Sequence, residues 1–318
     1  MNCPECDSDK TKKIGKDRKG NQRFRCLACE KTFQEPRENP LGSMTLPMDK
    51  ALMVVRLMVE GMSIASIERT TGVHHTTILS LLETVGQKCE ALMHDRIKNL
   101  PVKDVQCDEI WGFVGMKEKT KRKLALMEDE ESKQLGDAYC FIAIEKSTKV
   151  ILAFHLGRRT VEDTIAFTHK IDHATKGHFQ INTDGFGPYR DAFGVIIGHR
   201  TDFAQVVKIF GKPLDDDHRY SFPEVTEVIK TTVHGRPDMD KATTSHIERQ
   251  NLNVRMGMRR MTRLTNAFSK KWINLHWAYA INFAYHNFVR VHSALRVTPA
   301  MEARITDHVW SLEELISA

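Results

Sequence analysis

Four cysteines, three carboxylates and a short run of histidines and threonines are the residues here whose types and spacing point to chemistry. Cys3 and Cys6 form one C-x-x-C pair and Cys26 and Cys29 a second, with nineteen residues between the pairs. Two such knuckles predict a tetrahedral four-thiolate Zn²⁺ site. Four thiolates close the coordination shell, so this zinc is expected to be structural. A redox C-x-x-C is the alternative; the second pair and the lack of a βαβ pattern argue against it. A segment of about 40 residues buries too little surface to fold alone, so metal would supply much of its folding free energy. Phe24 and Phe33 would cap its small core.

The carboxylates are Asp108, Asp184 and Glu248. Asp108 lies inside the apolar run Val105–Val114, where an unpaired acid is costly. Converging carboxylates repel unless cations neutralise them, and oxygen-only ligation suits Mg²⁺ or Mn²⁺. Two such ions can serve an in-line phosphoryl displacement. Each acid also has a plain structural reading. Asp184 precedes Gly185 and would start a turn. Glu248 closes Ser245-His246-Ile247-Glu248, a capping-box pattern. Glu109 should point to the opposite face from Asp108 and is the weaker candidate.

Elements must bring these residues together. Val105–Val114, Tyr139–Ile144 and Val150–His155 read as strands, the last two forming a hairpin around Lys146-Ser147-Thr148. A helix is predicted over Thr160–Ala174, then a short strand ending at Asp184, a helix from Tyr189, a strand within Val225–Val233, and a helix after Asp240 carrying Glu248. Placing the first and fourth strands side by side and parallel would set Asp108 beside Asp184. Upstream, Ser63 is a plausible N-cap, Gly72 a left-handed turn, and Ile64, Ile67, Val73, Ile78 and Leu82 a buried stripe. This predicts a helix-turn-helix, with His74, His75, Thr76 and Thr77 at the exposed start of its second helix, facing DNA. An ordinary pair of core helices is the alternative. Reading His74 and His75 as metal ligands is disfavoured for want of a carboxylate or cysteine neighbour.

Charge is uneven. Lys plus Arg number 47 against 41 Asp plus Glu, a net +6. Arg249–Arg296 holds nine basic residues and no acid, which leaves the rest of the chain at −3. A second basic concentration covers Lys10–Lys31. Two basic regions imply a polyanionic partner. Acidic runs at Glu128–Glu131 and Asp215–Asp217 read as exposed tips. The aromatic segment Ser269–Leu295 reads as a helix packing its apolar face on the sheet, with base stacking as the alternative. Asn251, Arg255, Arg259, Arg260 and Arg263 on the preceding helix are the better DNA contacts. No apolar run approaches a membrane span and no export signal opens the chain, so a cytoplasmic protein is expected.

The blocks Asp108-Glu109-Ile110-Trp111, Thr183-Asp184-Gly185, His246-Ile247-Glu248-Arg249-Gln250-Asn251 and His292-Ser293-Ala294-Leu295, in this order behind the four cysteines, resemble bacterial insertion-sequence transposases of the DDE type, and among them the insertion sequence one family. The resemblance implies an α/β catalytic domain of RNase H-like fold, a mixed sheet with flanking helices. It also implies a metal-binding triad of Asp108, Asp184 and Glu248, and a basic residue seven positions later, Arg255, holding a phosphate. The expected organisation is a zinc ribbon over 1–40, a helix-turn-helix over 41–100, the catalytic domain over 101–265 and a helical extension over 266–318. The expected activity is cleavage and strand transfer at inverted-repeat DNA ends, by a homodimer or higher oligomer on double-stranded DNA. A non-catalytic DNA-binding regulator and a structure-selective nuclease are the alternatives.

Overall fold

The computed structural model describes residues 1–318 except 18, 19, 21, 35–38, 125–129 and 212–223. The described residues form two compact units, Met1–Met44 and Thr45–Ala318. Glu128, Asp129 and the run Asp215–Asp217 lie outside the described residues.

In the first unit, strands β1 (Thr11–Lys16), β2 (Gln22–Cys26) and β3 (Thr32–Gln34) form an antiparallel sheet in that order. Phe24 and Phe33 are cross-strand partners with ring centroids 5.8 Å apart. They are the aromatic cap that the sequence calls for.

The second unit opens with α1 (Met48–Val59), α2 (Ile64–Thr71) and α3 (His75–Arg96). Ser63 accepts a hydrogen bond from the Ser66 amide at the start of α2, and Gly72 ends that helix at φ 70°. Ile67, Val73, Ile78 and Leu82 are buried, and Ile64 is half-buried.

Next come β4 (Asp104–Val114), β5 (Gly136–Glu145), β6 (Ile151–Gly157), α4 (Val161–Ala174), β7 (Phe179–Thr183), α5 (Pro188–Ile196), β8 (Thr201–Phe210), β9 (Val225–His234), α6 (Ser245–Gly257) and α7 (Trp272–Ala284). One mixed sheet runs β9-β8-β7-β4-β5-β6. β4 pairs antiparallel with β5 and parallel with β7, and β7 pairs parallel with β8. The β5–β6 turn closes on Glu145, whose carboxylate accepts from the Ser147 hydroxyl and from the Thr148 amide and hydroxyl. β8 is absent from the sequence-based reading. Its apolar residues Phe203, Ala204 and Val206 are buried between β7 and β9, but Asp202, Gln205 and Lys208 interrupt the apolar run.

Two contacts fix the helices. Gln106, fully buried on β4, accepts from the backbone amides of His246 and Ile247, the open N-terminal donors of α6. α7 lies so close to α3 that a Cβ on Gly86 would sit 2.5 Å from the Trp277 Cβ. Leu275, Trp277, Tyr279, Ile281, Phe283 and Phe288 are buried, so the aromatic segment serves the core. Among the described residues no helix is long and apolar enough to cross a membrane.

Candidate functional site

β4 and β7 run parallel in the centre of the sheet, with Cys107 opposite Thr183. The next residues on each are Asp108 and Asp184. Strand alternation puts Gln106 and Asp108 on the face covered by α6, and Asp108 Oδ2 accepts from the Asn251 side-chain amide at 2.8 Å. Glu109 turns to the other face, where Arg159 Nε donates to its Oε2 at 3.0 Å. Asp184 stands one residue beyond the end of β7. One carboxylate oxygen each from Asp108, Glu109 and Asp184 lie within 4.8 Å of one another. Glu109 therefore belongs to the acidic group, a correction to its rank in the sequence. Alternation separates it from Asp108 along the strand, yet one oxygen of each still lies within 4.8 Å of the other and of Asp184.

The electrostatics follow from this crowding. Burial, then the charges of Asp184 and Glu248, push Asp108 up to about 7. Burial and the Asp184 charge push Glu109 up to about 8. Burial and the Glu109 charge hold the fully buried Tyr189 phenol well above its ordinary range. Asn251 Oδ1 is buried without a hydrogen-bond partner among the described residues, and the Tyr189 phenol faces the Glu109 carboxyl. Crowded oxygens that favour protonation, with an unpartnered oxygen acceptor beside them, suit a hard divalent cation. Charge compensation on the Glu109 side comes from Arg159, which also lies 3.9 Å from Asp184 Oδ2 and over the Phe186 ring at 4.3 Å.

A cleft of about 810 Å³ opens beside Asp108 and Glu109 and is also lined by Lys208, Glu248, Arg255 and Arg263. Glu248 thus shares the cleft with Asp108, but its carboxylate is not one of the three clustered groups. Lys208 Nζ donates to both its oxygens at 2.6 Å, and the Thr244 hydroxyl donates to Oε1. The capping-box reading fails: Thr244, not Ser245, precedes the first helical residue, and neither reciprocal capping bond forms.

The arginines divide by burial. Arg255 donates to the carbonyls of Trp111 and Met261, so it ties α6 to β4 while edging the cleft. Arg260 corrects an expectation. It is half-buried, its guanidinium donates to Ser269 Oγ and the Asn274 carbonyl, and burial lowers it to about 10. It braces the start of α7 and is not placed to meet DNA. Arg259 and Arg263 are exposed.

The four cysteines of the first unit converge. Cys3 Sγ lies 3.6 Å from Cys29 Sγ, and Cys6 Sγ 3.6 Å from Cys26 Sγ. A disulfide would bring sulfurs to ~2 Å. A tetrahedron with Zn–S bonds of ~2.3 Å has edges of about 3.8 Å, so the separations fit a shared tetrahedral ion. The amides of Cys29 and Ala28 lower the Cys26 thiol to about 6.

His74, His75 and Thr76 are exposed at the start of α3, and Thr77 is half-buried. Glu68 supplies the carboxylate neighbour that the sequence pattern lacks. Its Oε1 accepts from the His75 amide at 2.9 Å and lies 3.1 Å from His75 Nδ1. His74 Nδ1 meets the Thr76 hydroxyl at 2.8 Å and accepts from the Thr76 amide as the N-cap of α3, while the His75 imidazole is held by Glu68. Sequence reasoning misses Arg159, Lys208 and Gln106 at this site, because their roles depend on cross-sheet placement, and it reads Asn251 as a DNA contact on the polar face of its helix where the structure has it holding Asp108. Compared with family models and with curated proteins, the chain matches none.

Proposed function

We propose that the chain is a divalent-metal-dependent DNA transposase that binds the inverted-repeat ends of its own element, cleaves a phosphodiester there and joins the freed 3′-hydroxyl to target DNA. The observation that carries this reading is the juxtaposition of Asp108 and Asp184 on adjacent parallel strands, with Glu248 lining the same cleft. The strand order supports an RNase H-like reading of the catalytic unit: three antiparallel-linked strands, β4 to β6, extended on the other side of β4 by parallel β7 and β8. The capped α2, the left-handed Gly72 and the exposed start of α3 support a helix-turn-helix that presents His74, His75, Thr76 and Thr77 to DNA.

Asp108 and Asp184, with Glu248 as third carboxylate, would hold Mg²⁺ or Mn²⁺, which when bound activates an attacking oxygen and stabilises the leaving one. Asn251 orients Asp108. Gln106 anchors α6 so that Glu248 and Asn251 stay over β4. Arg263, exposed on the cleft wall, is placed to pair with a backbone phosphate, while Arg255 keeps the wall rigid. The four-cysteine unit would hold structural Zn²⁺ and lay its basic strands along DNA. Because two element ends must be joined, the active form is at least a homodimer on DNA.

The test incubates the full chain with DNA carrying the inverted repeats that flank its gene, in Mg²⁺. Cleavage and strand transfer are expected, and Asp108→Asn should lose both by a thousandfold or more. Undiminished cleavage by that variant would discard the reading. A non-catalytic DNA-binding regulator is the second reading. It is favoured by the protein's own cations, Lys208 on Glu248 and Arg159 on Glu109, which compensate acids without any metal.

A further inference from the structure

Helix α6 carries two opposed rows. Glu248, Asn251, Leu252 and Arg255 line the acidic cleft, while His246, Arg249, Gln250 and Asn253 line a second cavity of about 430 Å³. The rows follow helical spacing, i, i+3, i+4, i+7, so one element serves both. The second cavity is completed by Lys149 from the β5–β6 turn and by His286, Arg290 and His292 after α7. Among the described residues no acid lines it. The nearby Glu145 is buried, and its oxygens are taken by Ser147 and Thr148.

We propose that this cavity is a phosphate-binding pocket that holds a phosphate of a DNA strand lying beside the acidic cleft. Three observations converge on an anion. Arg249 and Arg290 are exposed at the rim, and neither guanidinium has a hydrogen-bond or ion-pair partner among the described residues. Lys149 Nζ, which donates to the Lys146 carbonyl, sits 3.3 Å from His246 Nδ1 and so brings a cation to the cavity wall. His292 Nδ1 is buried with no hydrogen-bond partner among the described residues. Burial, then the charge of Lys149, lowers both His246 and His292. An arriving phosphate offsets the Lys149 repulsion and accepts charge-assisted hydrogen bonds from the rim arginines. The volume lies at the lower end of that of small-ligand sites, enough for one phosphate with part of its sugar. Lys208 and Arg159 answer the acids of the other cleft, but no described carboxylate pairs with the rim arginines of this one. That the phosphate belongs to a DNA strand rests on the transposase reading; that the pocket takes a phosphate does not.

The experiment measures binding of a short fluorescein-labelled single-stranded oligonucleotide to the full chain, without added divalent ions, by anisotropy across a salt series. Arg249→Ala/Arg290→Ala should weaken binding by about tenfold or more and reduce the log–log salt slope by about 0.7 for each phosphate no longer engaged. A charge-matched control, Lys98→Ala/Lys176→Ala, corrects for net charge. Comparing 5′-phosphorylated with 5′-hydroxyl oligonucleotides assigns the source. A difference abolished by the variant supports a terminal monoester, and equal loss with both supports an internal diester. In ¹⁵N-labelled protein, inorganic phosphate should shift the His292 imidazole resonances, and the variant should remove that shift. Unchanged affinity and slope relative to the control, together with an unmoved His292, overturn the proposal. Intact phosphate binding in a protein that never cleaves DNA would instead remove the transposase reading and leave the pocket standing.

Discussion

The four-cysteine cluster and the carboxylate cluster are both candidate metal sites, yet they are built in opposite ways. The cysteines lie within 27 residues and are gathered by two turns and one hairpin. Their site is closed by sulfur and forms the centre of its unit. The carboxylates come from two strands separated by crossover connections and from a late helix, and they meet where the central strands β4 and β7 run side by side, next to an open cleft. A closed, local site should govern stability, and an open, long-range one should govern reaction.

The largest effect should fall on the local site. Structural zinc sites contribute roughly 10–16 kcal/mol of apparent binding free energy at neutral pH. Stripping metal, or replacing Cys26 by Ser, should therefore unfold Met1–Met44 while Thr45–Ala318 melts as before. Amide dispersion in NMR spectra resolves the two units, and metal analysis of the untreated protein should return one zinc per chain. Retention of a folded first unit after metal removal, with thiols reduced, would break the contrast.

The second effect concerns which carboxylate completes the open site. Glu248→Gln should cost as much cleavage as Asp108→Asn, about a thousandfold, with melting temperature unchanged. Glu109→Gln should cost about tenfold, because Glu109 is buried against Arg159 and its loss leaves that cation only the longer contact with Asp184. The reverse ranking, measured as single-turnover cleavage, would move the third ligand from α6 to β4.

These two sites also differ in how far the sequence discloses them. Cysteine spacing alone announces the first, since every ligand lies in one hairpin. For the second, Asp108 is legible as an acid in an apolar strand, and its pairing with Asp184 follows once the first and fourth strands are set parallel. Period-two alternation rightly puts Glu109 across the sheet. It gives no warning that the Glu109 carboxylate still comes within 4.8 Å of both Asp108 and Asp184. Arg260 misleads because its neighbours on the sequence are exposed arginines, whereas burial depends on where α7 begins. β8 escapes notice because polar residues break its apolar run, and only pairing on both sides makes it a strand.

A third test separates the units by pH. His286 is buried, its Nε2 3.0 Å from the Lys149 carbonyl oxygen, and burial lowers it to about 4. Unfolded, it would take a proton near its ordinary value of about 6.5. Between these values the unfolded chain binds more protons than the folded one. Stability is thus whole above pH ~6.5 and falls as pH drops through the window to about 4, by roughly 3 kcal/mol. His286→Asn should flatten the pH dependence of denaturant midpoints for Thr45–Ala318 across that window. An unaltered slope would show that other groups dominate acid unfolding.

The smallest effect probes Lys208. Its ammonium contacts both Glu248 oxygens at 2.6 Å, and the pair is partly exposed, so it contributes at most about 1 kcal/mol. If Glu248 is a metal ligand, an incoming cation must displace that ammonium, and Lys208→Ala should tighten Mn²⁺ binding by about two- to fivefold. If Glu109 fills the third position, the Lys208–Glu248 pair stays outside the coordination shell and the affinity should stay constant. Calorimetric titration with Mn²⁺ reads the difference without requiring DNA or turnover. It therefore tests how the open site is assembled even if cleavage is never observed.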